Sequence, residues 1–187
     1  HRLIRRQRQM CIRDRYKEEK LMKVVVFNGS PNKEGNTYHA IKIVVDELEK
    51  EGIETEIIHV GNKSIRGCIA CGYCTKNKNG KCAITTDPVN DWIEKMKDAD
   101  GIILGSPVHY SAIAGTMKSF LDRAFHVADA HDSMLRHKVG VAVVAVRRAG
   151  GIQTFNQLNN YINHSEMLIP TSVSYTHLRA HETLANL

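Results

Sequence analysis

Three runs of the chain are short, β-branched and apolar without alternation: KVVVFN at 23–28, GIILGS at 101–106 and VGVAVVAV at 139–146. A strand with one wet face alternates apolar and polar residues, whereas a strand covered on both faces does not. The runs therefore predict a sheet sandwiched between helices. Such sheets are parallel, and each parallel connection needs a crossover of a dozen residues or more. The stretches between the runs are long enough and carry a helical period. Ala40, Ile41, Val44, Val45 and Leu48 form one apolar stripe, closed by Gly52 as a left-handed C-cap. Val89, Trp92, Ile93 and Met96 face inward on a second helix, with Asp87 as its cap and Pro88 in its first position. Met117, Phe120, Leu121 and Ala124 mark a third helix, and 152–163 a fourth. ETEIIHV at 54–60 reads as the second strand and MLIPTSV at 167–173 as the fifth. The expected fold class is α/β, a doubly wound five-stranded parallel sheet with right-handed crossovers.

A length of 187 residues suits one domain. RQRQMCIRDR and SYTHLRAHET, near the two ends, have neither hydrophobic periodicity nor caps, and they resemble translated library or adapter sequence. The expected organisation is a foreign or disordered tail at 1–21, a domain at 22–173 and a second foreign tail at 174–187. A loop at 66–86 is inserted after strand two. The formal charge of +6 is then uninformative, because residues 1–15 alone contribute six Arg against one Asp. Neither a nucleic-acid surface nor a membrane partner is expected. No run is long and apolar enough to span a bilayer, and the first residues lack the apolar core of a secretion signal. A cytoplasmic, thiol-reducing compartment is the default expectation.

In an open parallel sheet, ligands bind beyond the carboxyl ends of the strands. Strand one runs into GSPNKEGNT, a loop of hydroxyls and amides before a helix N-terminus, which suits an anion such as a phosphate monoester. It is neither a GxxxxGK[ST] loop nor GxGxxG, and an ordinary polar turn is the bland alternative. Strand three ends in GSPVHYSAIAG, read as a loop from 107, and strand four in VRRAGG. His109 and Tyr110 offer ring faces, and the Ala149-Gly150-Gly151 backbone permits close approach to a flat ligand. A hydrolase triad from Ser106, His109 and Asp122 is set aside, since no GxSxG elbow is present. Lys118, Asp122 and Arg123, at helical spacing, read as a solvated face or subunit contact. His126, His131 and His137 read as surface residues, and His59 as packing or exposed.

GSPNKEGNT, GSPVHYSAIAGTMKSFLDRAF and VAVVAVRRAGG, in this order, resemble the flavodoxin-like NAD(P)H-dependent FMN reductase family over roughly residues 22–173. The resemblance implies strand order 2-1-3-4-5 and bound FMN, with NAD(P)H as hydride donor. It places Ser30, Asn36 and Thr37 on the phosphate. Pro107, Val108, His109 and Tyr110 would lie along the isoalloxazine, and Arg147, Ala149 and Gly150 at its pyrimidine end. Arg147-Arg148 reads either as a surface pair or, at a strand end beside the crevice, as a place where one arginine stabilises charge on reduced flavin or meets a nicotinamide phosphate. No side-chain acid, base or nucleophile is obligatory. A homo-oligomer, dimer or tetramer, is implied as well. With 174–187 set aside, the last helix of the fold is expected to be missing.

CIACGYCTKNKNGKC at 68–82 holds the four cysteines of the central domain, Cys68, Cys71, Cys74 and Cys82. C-x2-C-x2-C with a further Cys is the compact spacing of iron–sulfur ligands. Zinc more often takes two separated pairs. Asn79-Gly80 is a turn signal that brings Cys82 back, small Ala70 and Gly72 leave room, and Arg66, Lys76, Lys78 and Lys81 would offset anionic charge. A 4Fe-4S cluster leads, with bare redox thiols and zinc as alternatives. The loop makes the chain most similar to the iron–sulfur flavoprotein branch. The reading is an FMN-binding oxidoreductase that takes hydride from NAD(P)H and passes electrons on, through the cluster, to an unnamed acceptor. The alternative is a non-enzymatic metal- or thiol-switch sensor on the same scaffold.

Overall fold

The computed structural model describes residues 21–170 and the backbone at 177–178. Its elements run β1 (Lys23–Asn28), α1 (Asn36–Lys50), β2 (Glu54–His59), α2 (Tyr73–Asn77), α3 (Val89–Asp98), β3 (Gly101–His109), β4 (Ala112–Ile113), α4 (Gly115–Ala130), β5 (Val139–Ala145), α5 (Gly151–His164) and β6 (His177–Leu178). The strand order is β2-β1-β3-β5-β6, with β4 paired to β3 alone. Every pairing but β3–β4 is parallel. Setting the two-residue β4 aside, this is the flavodoxin-like order 2-1-3-4-5.

Alternate residues of the unbroken apolar runs go to opposite faces, which is why the runs do not alternate. Val25, Phe27, Ile102, Leu104 and Val144 pack under α3, α4 and α5. There the Phe120 ring lies 4.6 Å from Phe27 and 5.3 Å from Trp92, joining β1, α3 and α4. Val26 and Ile103 face the other way, against Ile41 and Val45 of α1. Gly52 has φ +77, the left-handed stop expected after α1.

Three expectations need correction. The segment read as a loop from Pro107 instead continues β3 to His109 and returns as β4, with Val108 opposite Ile113 and His109 opposite Ala112. Tyr110 and Ser111, at φ 48 and 65, form the two-residue turn of positive φ that hairpins favour. Pro107 is tolerated because its missing N–H points the same way as Gly105, toward β1, whose pairing has already ended at Asn28–Gly105. Secondly, Pro88 is the N-cap of α3 and Val89 its first residue, so the helix starts one residue later than expected. Thirdly, MLIPTSV forms no continuous strand among its described residues. Leu168 makes one bridge to Val139, donating to Lys138 O at 2.8 Å and accepting from Gly140 at 2.9 Å. Pro170, two residues on, has no N–H to continue the ladder. The sheet edge is completed by β6, which lies within 174–187 and pairs with Val144 and Ala145. The expectations about both tails and a missing last helix otherwise fall outside the described residues.

Lys118 and Asp122 are a helix–helix contact as well as a surface pair. Lys118 bonds Asp122 at 2.6 Å and lies 5.5 Å from the Tyr161 ring, and the Tyr161 hydroxyl donates to Asp122 Oδ1. Burial first, and Asp122 second, push the Tyr161 phenol up to about 12. An unfolded chain releases this proton near 10. The fold thus holds the proton more tightly, and this contribution, complete below pH 10, is lost as pH rises toward 12. An ultraviolet phenolate titration should therefore show one tyrosine ionising near 12, and Tyr161→Phe should remove that step.

Candidate functional site

The carboxyl ends of β1, β3 and β5 lie on one edge of the sheet, and each is shaped by backbone contacts. At the end of β1, Asn28 is 1% exposed. Its Oδ1 accepts from Ser30 N at 3.0 Å, and its Nδ2 donates to Lys33 O at 3.2 Å. Ser30 Oγ in turn accepts from Asn32 N at 3.2 Å. The loop is therefore folded by its own short polar side chains, the use to which Asn and Ser are suited. It delivers the chain into α1 through Gly35, in extended backbone, with no side-chain cap and no acidic residue in the first turn. The opening N–H groups of α1 are thus not claimed by a capping side chain, and the helix dipole makes them attractive to an anion. Ser30 and Thr37 are buried beside them, whereas Asn36 is exposed.

Two neighbours hold this loop in place. Gly29 N donates to Gly105 O at 2.8 Å, seating it beside β3. On the other side the chain leaving β2 crosses so closely that a Cβ on Gly61 would lie 2.1 Å from Ser30 O. His59 also bonds Ser30 O, at 2.7 Å, so this histidine is a brace for the loop.

The β3–β4 hairpin and the loop after β5 meet. Gly150 has φ +87, and a Cβ there would sit 2.6 Å from Ser111 Cα and 3.0 Å from Val108 Cγ1. Pro107 and Val108 are half-buried, His109 exposed and Tyr110 fully exposed at the turn. Arg147, Arg148 and Ala149 are exposed, with Gly150 as the N-cap of α5. The structure so brings Pro107–Tyr110 and Arg147–Gly150 to one edge, next to β1's loop. Ser106 is fully buried and committed to backbone, donating to Pro107 O at 2.8 Å and accepting from Ala114 N at 3.1 Å.

The cysteine loop leaves the same edge after β2. It contains the short helix α2, entered through Gly72 at φ 69 and left through Lys78 at φ 47. Gly80, at φ 70, makes the expected turn, with Lys81 N donating to Asn79 Oδ1 at 3.1 Å. Cys68, Cys71, Cys74 and Cys82 all line one cavity of about 120 Å³, together with Arg123 and His126 of α4. All four are free thiols, Cys68 and Cys71 exposed, Cys74 and Cys82 half-buried. Among the described residues no three Cys, His, Asp or Glu side chains gather closely enough to hold a single ion. The donor set, four sulfurs with no carboxylate in the lining, fits an iron–sulfur cluster, whose ligands surround several metal atoms.

Arg123, expected on a solvated face, is instead the buried anchor of this loop. Its side chain has no exposed surface, and that of Asp87 is 4% exposed. The guanidinium bonds Asp87 Oδ2 at 2.5 Å, Arg66 O at 3.2 Å and Ile84 O at 3.0 Å, and its Nε–H points at Cys82 Sγ at 3.3 Å. Burial works against the charge, but Asp87 and the Cys82 sulfur outweigh it, so the group is held more firmly protonated than usual. The other Asp87 oxygen accepts from Val89 N at 3.3 Å, so Asp87, one residue before the N-cap Pro88, satisfies the first N–H of α3. Asn90, one residue into α3, brackets Cys82 through its N (2.8 Å) and O (3.0 Å). His131, half-buried, bonds Lys78 O at 2.7 Å and closes the far end of the loop. The signal for Arg123 was present in the sequence: it stands three residues after Phe120 and four before Val127, inside the apolar stripe of α4.

The chain matches the model of the NADPH-dependent FMN reductase family over residues 22–181. It is 39% identical over 150 residues to an iron-sulfur flavoprotein of Methanocaldococcus jannaschii, covering 79% of this chain and 75% of that one. Among solved structures it resembles RosB with a bound 8-demethyl-8-formylriboflavin-5'-phosphate intermediate, with a TM-score of 0.68 and 20% identity over 84% of this chain and 65% of the other. A flavodoxin from the domain Archaea superposes with a TM-score of 0.58 and 14% identity, over 88% of each chain.

Asp87→Ala leaves a buried guanidinium without its counter-charge and should destabilise the fold by about 3–5 kcal/mol in urea unfolding. Gly61→Ala forces two backbones apart and should cost about 1–3 kcal/mol by the same measurement. Gly115→Ala, where a Cβ meets nothing within 4 Å, should cost nothing.

Proposed function

The chain belongs to the NADPH-dependent FMN reductase family, and on that premise we propose that it is an FMN-binding oxidoreductase. It accepts hydride from NAD(P)H and passes the electrons on through a 4Fe-4S cluster held by Cys68, Cys71, Cys74 and Cys82. FMN, when bound, supplies a ring that takes two electrons as hydride and releases them singly, and the cluster takes one at a time.

The protein's part is binding, orientation and charge. Ser30, Asn36 and Thr37, at the uncapped start of α1, offer hydroxyl, amide and backbone donors to the flavin phosphate. Pro107, Val108, His109 and Tyr110 form a stiff hairpin wall along the ring. Ala149 and Gly150 let backbone approach its pyrimidine end, where the exposed Arg147 favours negative charge on the reduced ring. The observation that carries the reading is that all four cysteines line one cavity on α4, the helix that starts directly after the hairpin. From Gly115 to Arg123 is about 12 Å of helix rise. Four cysteines at the compact C-x2-C-x2-C spacing with one further Cys favour a cluster over a single tetrahedral zinc, which more often takes two separated pairs. Four free thiols so close in sequence suit a reducing, cytoplasmic compartment. The exposure of Cys68 and Cys71 favours a second reading, a thiol or metal switch without flavin turnover.

Anaerobic purification separates the two. The oxidoreductase should carry flavin absorbance over a broad iron–sulfur envelope, and both should bleach on addition of NADPH or NADH. Protein that holds zinc and no flavin would sink the proposal. In Cys82→Ser, iron should fall while FMN per chain stays at the parent level.

A further inference from the structure

We propose that Arg123 is a positioning residue for the metal centre: its guanidinium presets the Cys82 sulfur as the one fixed corner of the ligand set and favours the reduced form of the centre. This rests on the cluster reading above and goes beyond it in assigning a role to a residue on α4, outside the cysteine motif.

The argument begins with an imbalance among the four sulfurs. Cys68 and Cys71 are exposed, and Cys74 belongs to the five-residue α2. Cys82 is held from three directions, by Asn90 at its N and O and by Arg123 Nε at its sulfur. The ligand separated from the others by the longest gap in sequence is thus the most firmly placed in space. A guanidinium that served only to neutralise Asp87 would present its two-pronged fork to the carboxylate. Here a single nitrogen, Nη1, serves Asp87, and Nε–H is spent on sulfur. The group is fully buried, so its charge is poorly screened by water. One electron added to a thiolate-bound cluster makes it one charge more negative. A donor hydrogen bond and a fixed cation at a ligand sulfur stabilise that state and raise the reduction potential.

The test uses the full chain, loaded anaerobically with ferrous iron and sulfide, and compares the parent with two variants. Arg123→Lys keeps the charge but loses the Nε–H fork. Arg123→Met with Asp87→Leu removes both buried charges together and so avoids leaving either one unpaired. FMN per chain reports an intact fold. Iron per chain, the rate of iron loss to a chelator, and the midpoint potential of the cluster absorbance in a dye-mediated titration report the centre. Both variants should retain FMN, lose iron about 10-fold faster or more, and titrate at a lower potential, since each loses the Nε–H bond to the Cys82 sulfur. Parent-like iron content, chelator rate and potential in both variants would overturn the role of Arg123 while leaving the cluster reading intact. Loss of FMN together with iron in both would also overturn it, by making Arg123 a general support of the fold. A parent chain that takes up no iron would overturn both readings at once.

Discussion

A guanidinium with no exposed surface sits where α4, the cap of α3 and the cysteine loop meet. Removing such an ion from water costs several kcal/mol, recovered only when its donors find partners. Arg123 finds four: a carboxylate, two backbone carbonyls and a sulfur. The partners bracket the cysteine motif: Arg66 before it, Cys82 at its end, and Ile84 and Asp87 after it. One side chain therefore closes the base of the loop and sets it against the core. Asp87 joins this to helix geometry, since the oxygen that does not meet Arg123 accepts from the first N–H of α3.

The crevice on the neighbouring edge is built differently, by backbones brought too close for side chains. Gly61 lies against Ser30, Gly29 against Gly105 and Gly150 against the hairpin turn. Each contact removes a degree of freedom from a loop that would otherwise be a flexible connection. The two sites share α4. Its start is tied to the crevice through Ala114 and Ser106, and its third turn carries the arginine that faces the cysteines.

Much of this was legible in the residues. Unbroken apolar runs announced a doubly covered parallel sheet, and the order of the motifs agreed with its topology. The glycines and small polar residues after β1 marked the edge where loops gather. Pro107 misled, because a proline was read as the end of a strand. It sits where β3 has outrun its neighbour β1, and which neighbour has stopped is a fact of tertiary register. Arg123 misled through its charge. Its place in the stripe of Phe120, Ala124 and Val127 pointed inward, but a burial that depends on partners 36 and 41 residues away, Asp87 and Cys82, is not written in local sequence. The four cysteines were the reverse case, since their proximity is local and the spacing alone drew them to the one cavity they line.

The long reach of those Arg123 bonds has a consequence for biogenesis. Its partners at Arg66 and Asp87 are separated from it by 57 and 36 residues, and β3 and the hairpin intervene. Long-range contacts form late, after the closure entropy of the intervening chain has been met. The corner of the loop at Cys82 thus takes its final position only once β3 and α4 have docked. A zinc finger is ordered by its metal, folding and loading in one event. In this chain Asn90 and Arg123 already brace the Cys82 corner, so its sulfur would be placed by the packing of α3 and α4 and not by a metal.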